Sequence, residues 1–122
     1  MKIRRTVPIV ASDDLELARK FYAEFLGFEV AMDEPGFRML RSPSNPTAQV
    51  ITASRTGETM DPRVLEVKMS VEVGDVDAAY EEAQRRELRI VYPITDEPWG
   101  VRRFFVEDPD GNVINVVSHR SG

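Results

Sequence analysis

The sequence has no cysteine and only one histidine, His119, among its 122 residues. Without cysteine the chain can form no disulfide, no thiolate nucleophile and no cysteine-based zinc or iron–sulfur site. No apolar run approaches the length of a membrane span, and the N-terminal residues contain no apolar signal core. We therefore expect a cytoplasmic protein without a membrane partner.

Basic residues are also in the minority, with 16 Lys and Arg against 21 Asp and Glu and a formal net charge of −5. A nucleic-acid partner is not expected, because phosphate binding needs a basic surface. The acidic balance is compatible with a cationic ligand through long-range attraction, although an aid to solubility is the simpler explanation. The length and the 42% hydrophobic residues are typical of one folded domain.

The first half of the chain is predicted to contain a strand, a helix and three more strands. The strand runs from Ile3 to Val10, and Asp13 or Asp14 caps the helix, which Gly27 ends. The three following strands are expected at residues 28–32, 37–40 and 48–53. The helix is predicted to carry one broad apolar stripe formed by Leu17, Ala18, Phe21, Tyr22, Phe25 and Leu26.

The second half repeats that order after a polar segment at 54–63. Residues 65–73 alternate apolar and polar side chains and predict a strand, and Asp75 begins a helix. A strand at 88–91 and a hairpin follow, and the hairpin turns at 108–112 with the sequence Asp-Pro-Asp-Gly-Asn. The β-α-β-β-β order is thus predicted twice, which indicates an internal repeat.

This repeat resembles the vicinal oxygen chelate superfamily, which includes glyoxalase I, extradiol dioxygenases, fosfomycin-resistance enzymes and bleomycin-resistance proteins. The residues that carry the resemblance are Asp14-Leu15, Phe21-Tyr22, Leu26-Gly27-Phe28 and the 108–112 turn followed by an apolar strand. The residues Val7-Pro8-Ile9-Val10 and Glu97-Pro98-Trp99-Gly100 are similar to those of the bleomycin-binding resistance proteins within that superfamily.

The resemblance implies an α+β fold of two tandem βαβββ modules, about 1–54 and about 64–119, joined by a linker at 54–63. The modules are expected to form a curved, incompletely closed mixed sheet around a cleft, usually in a homodimer. The resemblance also places Pro8 near a point where an N-terminal strand is exchanged between partners. The alternative is a proline in an edge strand with no such role.

Enzymes of this superfamily hold a divalent metal with His and Glu side chains from four strands, and open positions on the metal bind vicinal oxygens of the substrate. The resemblance maps these positions onto Val7 (or Thr6), Thr52, Lys68 and Asn115. Val7 has no donor atom, Lys68 is cationic at pH 7, and the other two are weak neutral ligands. His119 is expected at the surface. We therefore predict no metal and no other cofactor.

No catalytic residue is assigned from the sequence. Ser118 and His119 are adjacent in a strand and point to opposite faces, which excludes a serine–histidine pair there. Lys68 with Glu66 or Glu72 is conceivable as an acid–base pair, but these alternating residues are more simply the solvated face of a strand.

The predicted function is a metal-free small-molecule-binding protein of the glyoxalase/bleomycin-resistance type. It would sequester a bleomycin-like antibiotic or another planar, cationic natural product, with Trp99 stacking on the ligand. The alternative is a lyase, isomerase or dioxygenase of the same superfamily, either metal-dependent with atypical ligands or metal-free through Lys68. The predicted ligand-binding residues are Trp99, Lys68, Asn115, Thr52, Glu66, Ser70, Phe37 and Met39.

Overall fold

A computed structural model describes residues 1–55 and 66–119 of the chain. None of the helices in this described part is long and apolar enough to cross a membrane. The predicted linker at 54–63 lies outside the described residues from position 56 onward. The elements in chain order are β1 (Ile3–Ser12), α1 (Leu15–Arg19), a π-helix (Lys20–Phe25), β2 (Glu29–Glu34), β3 (Phe37–Arg41), β4 (Gln49–Ser54), β5 (Val67–Val73), α2 (Val76–Arg85), β6 (Ile90–Asp96), β7 (Val101–Glu107) and β8 (Val113–His119).

Within the first module the strands are ordered β2-β3-β4-β1, and within the second they are ordered β5-β8-β7-β6. The pairs β1–β4 and β5–β8 are parallel, whereas β2–β3, β3–β4, β6–β7 and β7–β8 are antiparallel. Parallel pairs need a long crossover connection, and antiparallel neighbours need only short turns. The predicted mixed α+β fold with a repeated β-α-β-β-β order is confirmed.

The chain forms two compact units, and β1 contributes to both. The N-terminal unit comprises Val7–Glu66, and the C-terminal unit comprises Met1–Thr6 with Val67–Gly122. Pro8 therefore lies just beyond the point at which β1 passes from one unit into the other. The β1–β4 register begins at the pair Ile9–Ile51, after Pro8.

In the N-terminal unit, Asp14 caps α1 as the sequence predicts, since its Oδ1 accepts hydrogen bonds from the backbone N–H groups of Glu16 and Leu17 at 3.0 and 3.1 Å. The helix then continues as a π-helix. The predicted apolar stripe is not buried along its length: Ala18 and Tyr22 are half-buried, but the other four apolar residues face outward. Leu17, Phe21, Phe25 and Leu26 are each more than half exposed.

In the C-terminal unit, α2 packs closely on one face of the sheet. Ala79 and Ala83 bury against Phe104 and Val116, and the rings of Tyr80 and Phe104 meet edge to face at 4.9 Å between centroids. The predicted hairpin is confirmed as β7 and β8. The strand predicted at 88–91 is wrong in its bounds, because β6 begins at Ile90 and extends to Asp96 past the exposed Pro93.

The hairpin turn is held by Asp108. Its Oδ1 accepts hydrogen bonds from the N–H groups of Asp110 and Asn112, both at 2.9 Å, and its Oδ2 accepts one from the Asn112 amide. These bonds favour the carboxylate, with the Asn112 side chain as the largest cause, and they lower the pKa of Asp108. The turn fixes which residues of β7 and β8 lie opposite each other.

Candidate functional site

The C-terminal unit carries its polar side chains on the sheet face opposite α2. Phe104 and Val116 pair across β7 and β8 and both pack in the core with α2. Side chains alternate along a strand, so the neighbouring pair Phe105 and Asn115 projects from the other face. We call this the α2-distal face; it includes Ser70, Arg103, Phe105 and Asn115.

Asn115 and Ser70 form a buried polar pair on the α2-distal face. Both residues are about 5% exposed, and Asn115 Nδ2 donates to Ser70 Oγ at 2.9 Å. The Asn115 carbonyl oxygen Oδ1 is buried without a hydrogen-bond partner in the described part of the chain. Buried polar atoms are normally paired, and leaving one unpaired costs about 1–3 kcal/mol. The amide therefore has unused hydrogen-bonding capacity for a ligand.

A four-residue turn between β6 and β7 positions two further side chains. Gly100 N donates to Glu97 O at 3.2 Å, and Glu97 N donates to Val101 O at 2.8 Å. Gly100 has φ +92°, a left-handed conformation that side chains disfavour, and Pro98 presets the turn. The turn brings Glu97 and Trp99 beside Arg103 of β7.

Glu97 is the centre of a buried hydrogen-bonded group. Its residue is 8% exposed, and its Oε1 accepts a hydrogen bond from Tyr92 Oη at 2.8 Å. Its Oε2 accepts one from Arg103 Nη2 at 2.9 Å. A buried carboxylate is tolerated when it is paired and hydrogen-bonded in this way.

The Arg103 guanidinium lies against three aromatic rings, which we call the aromatic cluster: Tyr92, Trp99 and Phe105. Its central carbon is 5.7, 5.1 and 4.9 Å from the respective ring centroids, within the range of a cation–π interaction. The Nε of Arg103 is buried and has no hydrogen-bond partner among the described residues. The guanidinium is thus held mainly by ring faces and by one carboxylate oxygen.

Glu72 and His119 also lie on the α2-distal face, where Arg5 of β1 reaches them. Arg5 Nε donates to Glu72 Oε2, and Arg5 Nη2 is 3.0 Å from His119 Nε2. His119 is exposed, as expected. The Glu72 carboxylate is engaged by Arg5, so these contacts do not support an acid–base pair of Glu72 with Lys68.

The predicted alternation along β5 is interrupted at Lys68. Val67 pairs with Val113 and Ser70 pairs with Asn115, and the register shifts between Val67 and Met69. Two residues therefore separate the buried Val67 and Ser70 instead of one, as in a β-bulge. The prediction that Glu66, Lys68, Ser70 and Glu72 share a face by simple alternation is wrong here. Lys68 and Glu66 are exposed.

In the N-terminal unit, Thr52 lies on a different sheet face from Phe37 and Met39. Thr52 pairs with Arg38, while Phe37 and Met39 pair with the adjacent residues Ala53 and Ile51. Arg38 Nη1 donates to Leu15 O at the start of α1 at 3.3 Å, which places Arg38 and Thr52 on the helix side. Thr52 is buried, and its Oγ1 lacks a partner in the described residues. Thr52 therefore does not share a sheet face with Phe37 and Met39, although all three were predicted to bind the ligand.

The mapped metal positions do not fit a divalent ion. Val7 is a buried apolar side chain, Thr52 faces the helix side, Lys68 is an exposed cation, and Asn115 already bonds Ser70. Residues 1–55 and 66–119 contain no group of three His, Cys, Asp or Glu side chains suited to a metal. Nitrogen and carboxylate donors are what such metals require.

Sequence reasoning missed Tyr92, Glu97, Arg103 and Phe105. It identified Trp99 as a residue that stacks on the ligand, but it treated Glu97 only as part of the motif Glu97-Pro98-Trp99-Gly100. Arg103 and Phe105 are two residues apart in β7, so their side chains lie on the same face of the strand. This spacing could have indicated from the sequence that an arginine and an aromatic ring share that face. The pairing with Glu97 could not be read from the sequence, because it depends on the geometry of the turn.

Comparison with known proteins agrees with this fold. The family model of the glyoxalase/bleomycin resistance protein/dioxygenase superfamily matches residues 2–116. No curated protein sequence matches the chain significantly.

Three solved structures are similar to the chain at low sequence identity. Streptomyces coelicolor methylmalonyl-CoA epimerase is 21% identical with a TM-score of 0.78, covering 99% of this chain and 100% of that one. The epimerase from Mycobacterium tuberculosis is 22% identical with a TM-score of 0.75, covering 98% and 89%. A superfamily member from Vibrio splendidus is 18% identical with a TM-score of 0.69, covering 96% and 99%. At these identities the likeness concerns the fold alone.

Proposed function

Because the chain belongs to the glyoxalase/bleomycin resistance protein/dioxygenase superfamily, we propose that it binds a small molecule on the α2-distal face of the C-terminal unit, without a metal. The observation that carries this proposal is the Asn115 amide, which is buried, bonded to Ser70, and still has an unpaired oxygen. Small-molecule sites combine an apolar or aromatic wall with a few placed polar groups. Phe105, opposite Asn115, supplies the nearest part of such a wall.

The proposed ligand is planar and cationic, such as a bleomycin-like antibiotic that the protein would sequester. The support for this class is the aromatic cluster, which already holds a guanidinium beside the Glu97 carboxylate. Aromatic faces and a carboxylate attract flat cations through the same electrostatics. Sequestration needs only affinity, and a sub-micromolar Kd corresponds to about 8 kcal/mol or more.

Several expectations from the sequence remain predictions. One of these predictions is that the ligand also contacts Lys68, Glu66, Thr52, Phe37 and Met39. Another is that the protein is cytoplasmic. A homodimer, with strand exchange near Pro8, is likewise expected from the family resemblance. Light scattering of the purified chain measures the subunit number directly, and a monomer at all concentrations would contradict the dimer.

The binding proposal is tested with metal-free bleomycin as the probe, by calorimetry and by thermal unfolding. At a hundredfold excess over Kd, binding adds about 2.7 kcal/mol to the free energy of unfolding, which raises Tm by roughly 10 °C. We expect Asn115→Leu to weaken binding about 10- to 100-fold, since it removes a buried hydrogen-bonding group.

Gln84→Leu is the matched control, because Gln84 is an exposed amide on α2, away from the α2-distal face. Binding of the probe should be unchanged in this variant. If bleomycin leaves Tm unchanged, the bleomycin-like ligand is excluded. If it binds equally to the wild type and to Asn115→Leu, the proposed site is wrong.

The enzyme alternative is a lyase, isomerase or dioxygenase, and similarity to two epimerase structures keeps it worth testing. Calorimetric titration of chelator-treated protein with Zn, Mn, Ni and Fe(II) separates the two functions. One tight site per subunit would overturn the metal-free proposal. Turnover lost in Lys68→Ala would instead favour metal-free catalysis.

A further inference from the structure

We infer that the aromatic cluster and Glu97 form a receptor for planar cations whose internal occupant is Arg103, so that a cationic ligand binds by displacing this side chain. The inference rests on the proposed function and deepens it, because it names the residue that sets ligand specificity. The ligand class is a guanidinium, an amidinium or a protonated flat heterocycle. The geometry that carries it is one cation in contact with three rings and one buried carboxylate.

The receptor is complete without Arg103. Tyr92 donates to one oxygen of Glu97 and thereby orients the carboxylate, while the other oxygen faces the guanidinium. Trp99 is placed by the tight turn, and Phe105 by its pairing with Asn115. The elements that shape the receptor are therefore β6, β7, β8 and one turn.

Arg103 occupies the receptor with part of its bonding capacity unused. Only Nη2 donates to Glu97, although a guanidinium can donate to a carboxylate through two N–H groups. Its Nε is buried without a partner in the described residues. A free planar cation is not tethered to β7, so it can align both N–H groups with Glu97. This incomplete satisfaction makes displacement of Arg103 feasible.

Displacement also has a direct consequence for the α2-distal face. Arg103 has the same strand parity as Phe105 and Asn115, so the departing side chain leaves space on the face where the ligand is proposed to bind. In this scheme Arg103 competes with the ligand, and its removal should increase affinity for planar cations. Removing the cation of any buried ion pair also opens a place for a free guanidinium, so displacement of Arg103 in the wild type is the deciding measurement.

The test uses methylguanidinium chloride as the probe at constant ionic strength. Trp99 is the only tryptophan of the chain, so intrinsic fluorescence reports on the receptor without interference. We expect Arg103→Ala to show a saturable fluorescence change with a Kd at least about tenfold lower than that of the wild type. An equal Kd in both proteins, or no saturable change in Arg103→Ala, overturns the inference.

Two control variants separate the receptor from general effects. Arg102→Ala removes the neighbouring arginine, which pairs with Asp77 and Asp96 outside the cluster, and it should behave as the wild type does. The double variant Glu97→Gln/Arg103→Ala should lose the response, since the carboxylate is gone. A gain of binding in Arg102→Ala, or its retention in the double variant, contradicts the receptor.

If Arg103→Ala does not fold, Arg103→Val replaces it, because the short β-branched side chain suits a strand and leaves the receptor vacant, and a gain of the same sign is expected there. The wild type can also be tested directly, by following the Arg103 Nε–H resonance by NMR during titration with methylguanidinium. At saturation its chemical shift should move to the value typical of a solvent-exposed arginine. An unmoved resonance overturns the inference. The inference and the proposed function can fail separately. If bleomycin binding is intact and depends on Asn115 while Trp99 does not respond to methylguanidinium, only the receptor is rejected.

Discussion

The helices of the two units follow strands of the same kind and begin in the same way, yet they relate differently to their sheets. Asp14 and Asp75 both cap with a carboxylate oxygen that accepts backbone N–H groups. The second helix then buries Val76, Ala79 and Ala83, whereas α1 and its π-helical continuation have no residue that is fully buried. Equivalent capping signals have thus produced unequal packing.

The size of the facing residues explains part of the difference. In α2, the small Ala79 and Ala83 let the helix approach Phe104 closely, which forms one continuous core. In the N-terminal unit the corresponding stretch is rich in aromatic residues. Phe21 and Phe25 contact each other with their rings tilted and their centroids 5.5 Å apart, and both stay exposed. An apolar stripe therefore predicts a helix, but the volume of its residues influences how far that helix is buried.

The largest test of this comparison exchanges one phenylalanine in each unit. Phe104→Ala should destabilise the protein by about 4 kcal/mol, because it leaves a cavity beneath α2. Phe25→Ala should cost less than about 0.5 kcal/mol, since Phe25 is 75% exposed. Urea unfolding followed by circular dichroism measures both. Comparable losses in the two variants would mean that Phe25 is covered in solution.

A second contrast concerns ion pairs. The Glu97–Arg103 pair has side chains that are about one-tenth exposed, whereas those of Glu29 and Arg41 in the N-terminal unit are about half exposed. Glu97→Ala should cost about 3 kcal/mol, because it leaves a buried guanidinium without its carboxylate. Glu29→Ala should cost at most about 1 kcal/mol.

The two glutamate variants are compared by urea unfolding at pH 7 in 0.15 M salt. Raising the salt concentration should reduce the small effect of Glu29→Ala and leave that of Glu97→Ala nearly unchanged, because buried pairs are poorly screened. Equal costs for the two variants would show that the burial of Glu97 does not contribute to stability.

Much of the fold could be predicted from the sequence, because periodicity and turn chemistry are local. Asp14 as a cap and the 108–112 turn are examples, since each acts through bonds within a few residues. The order of strands and helices was then predicted from the period of the apolar residues in each segment, which is two in a strand and about 3.6 in a helix. The apolar stripe of the first helix was predicted correctly as helical, but its exposure could not be predicted, since burial depends on what lies opposite.

The candidate site was predicted less well, because it depends on register. One bulge in β5 moves Lys68 out of alternation with Ser70, and a single extra residue leaves no mark in the sequence. Thr52, Phe37 and Met39 were all predicted to bind the ligand, although Thr52 lies on the opposite face of the sheet from the other two. Asn115, Ser70 and Trp99 lie in the C-terminal unit as predicted residues, but the Glu97–Arg103 pair beside Trp99 became evident only from the turn geometry.

The last and smallest predicted effect on stability concerns the ion pairs of one glutamate in each helix. Glu16 of α1 accepts hydrogen bonds from Arg19 at 2.6 Å and from Arg38 of β3 at 3.0 Å, and these partners, Arg19 first, lower the pKa of Glu16 to about 2. Glu82 of α2 has a lowered pKa through Arg86 and Arg85 of the same stretch. Only the first glutamate therefore links its helix to a strand.

A depressed carboxyl pKa stabilises the folded state above the unfolded-state pKa near 4.5, and this contribution is lost as the pH falls toward about 2. The stability difference between the wild type and Glu16→Gln should be constant above pH 5 and shrink toward zero near pH 2. NMR titration of the Glu16 carboxyl carbon should give a pKa that rises in Arg38→Ala, whereas the Glu82 value should not move. If Arg38→Ala leaves the Glu16 pKa unchanged, the Glu16–Arg38 bond is absent in solution, and Arg38 then joins β3 to α1 only through its hydrogen bond to Leu15 O.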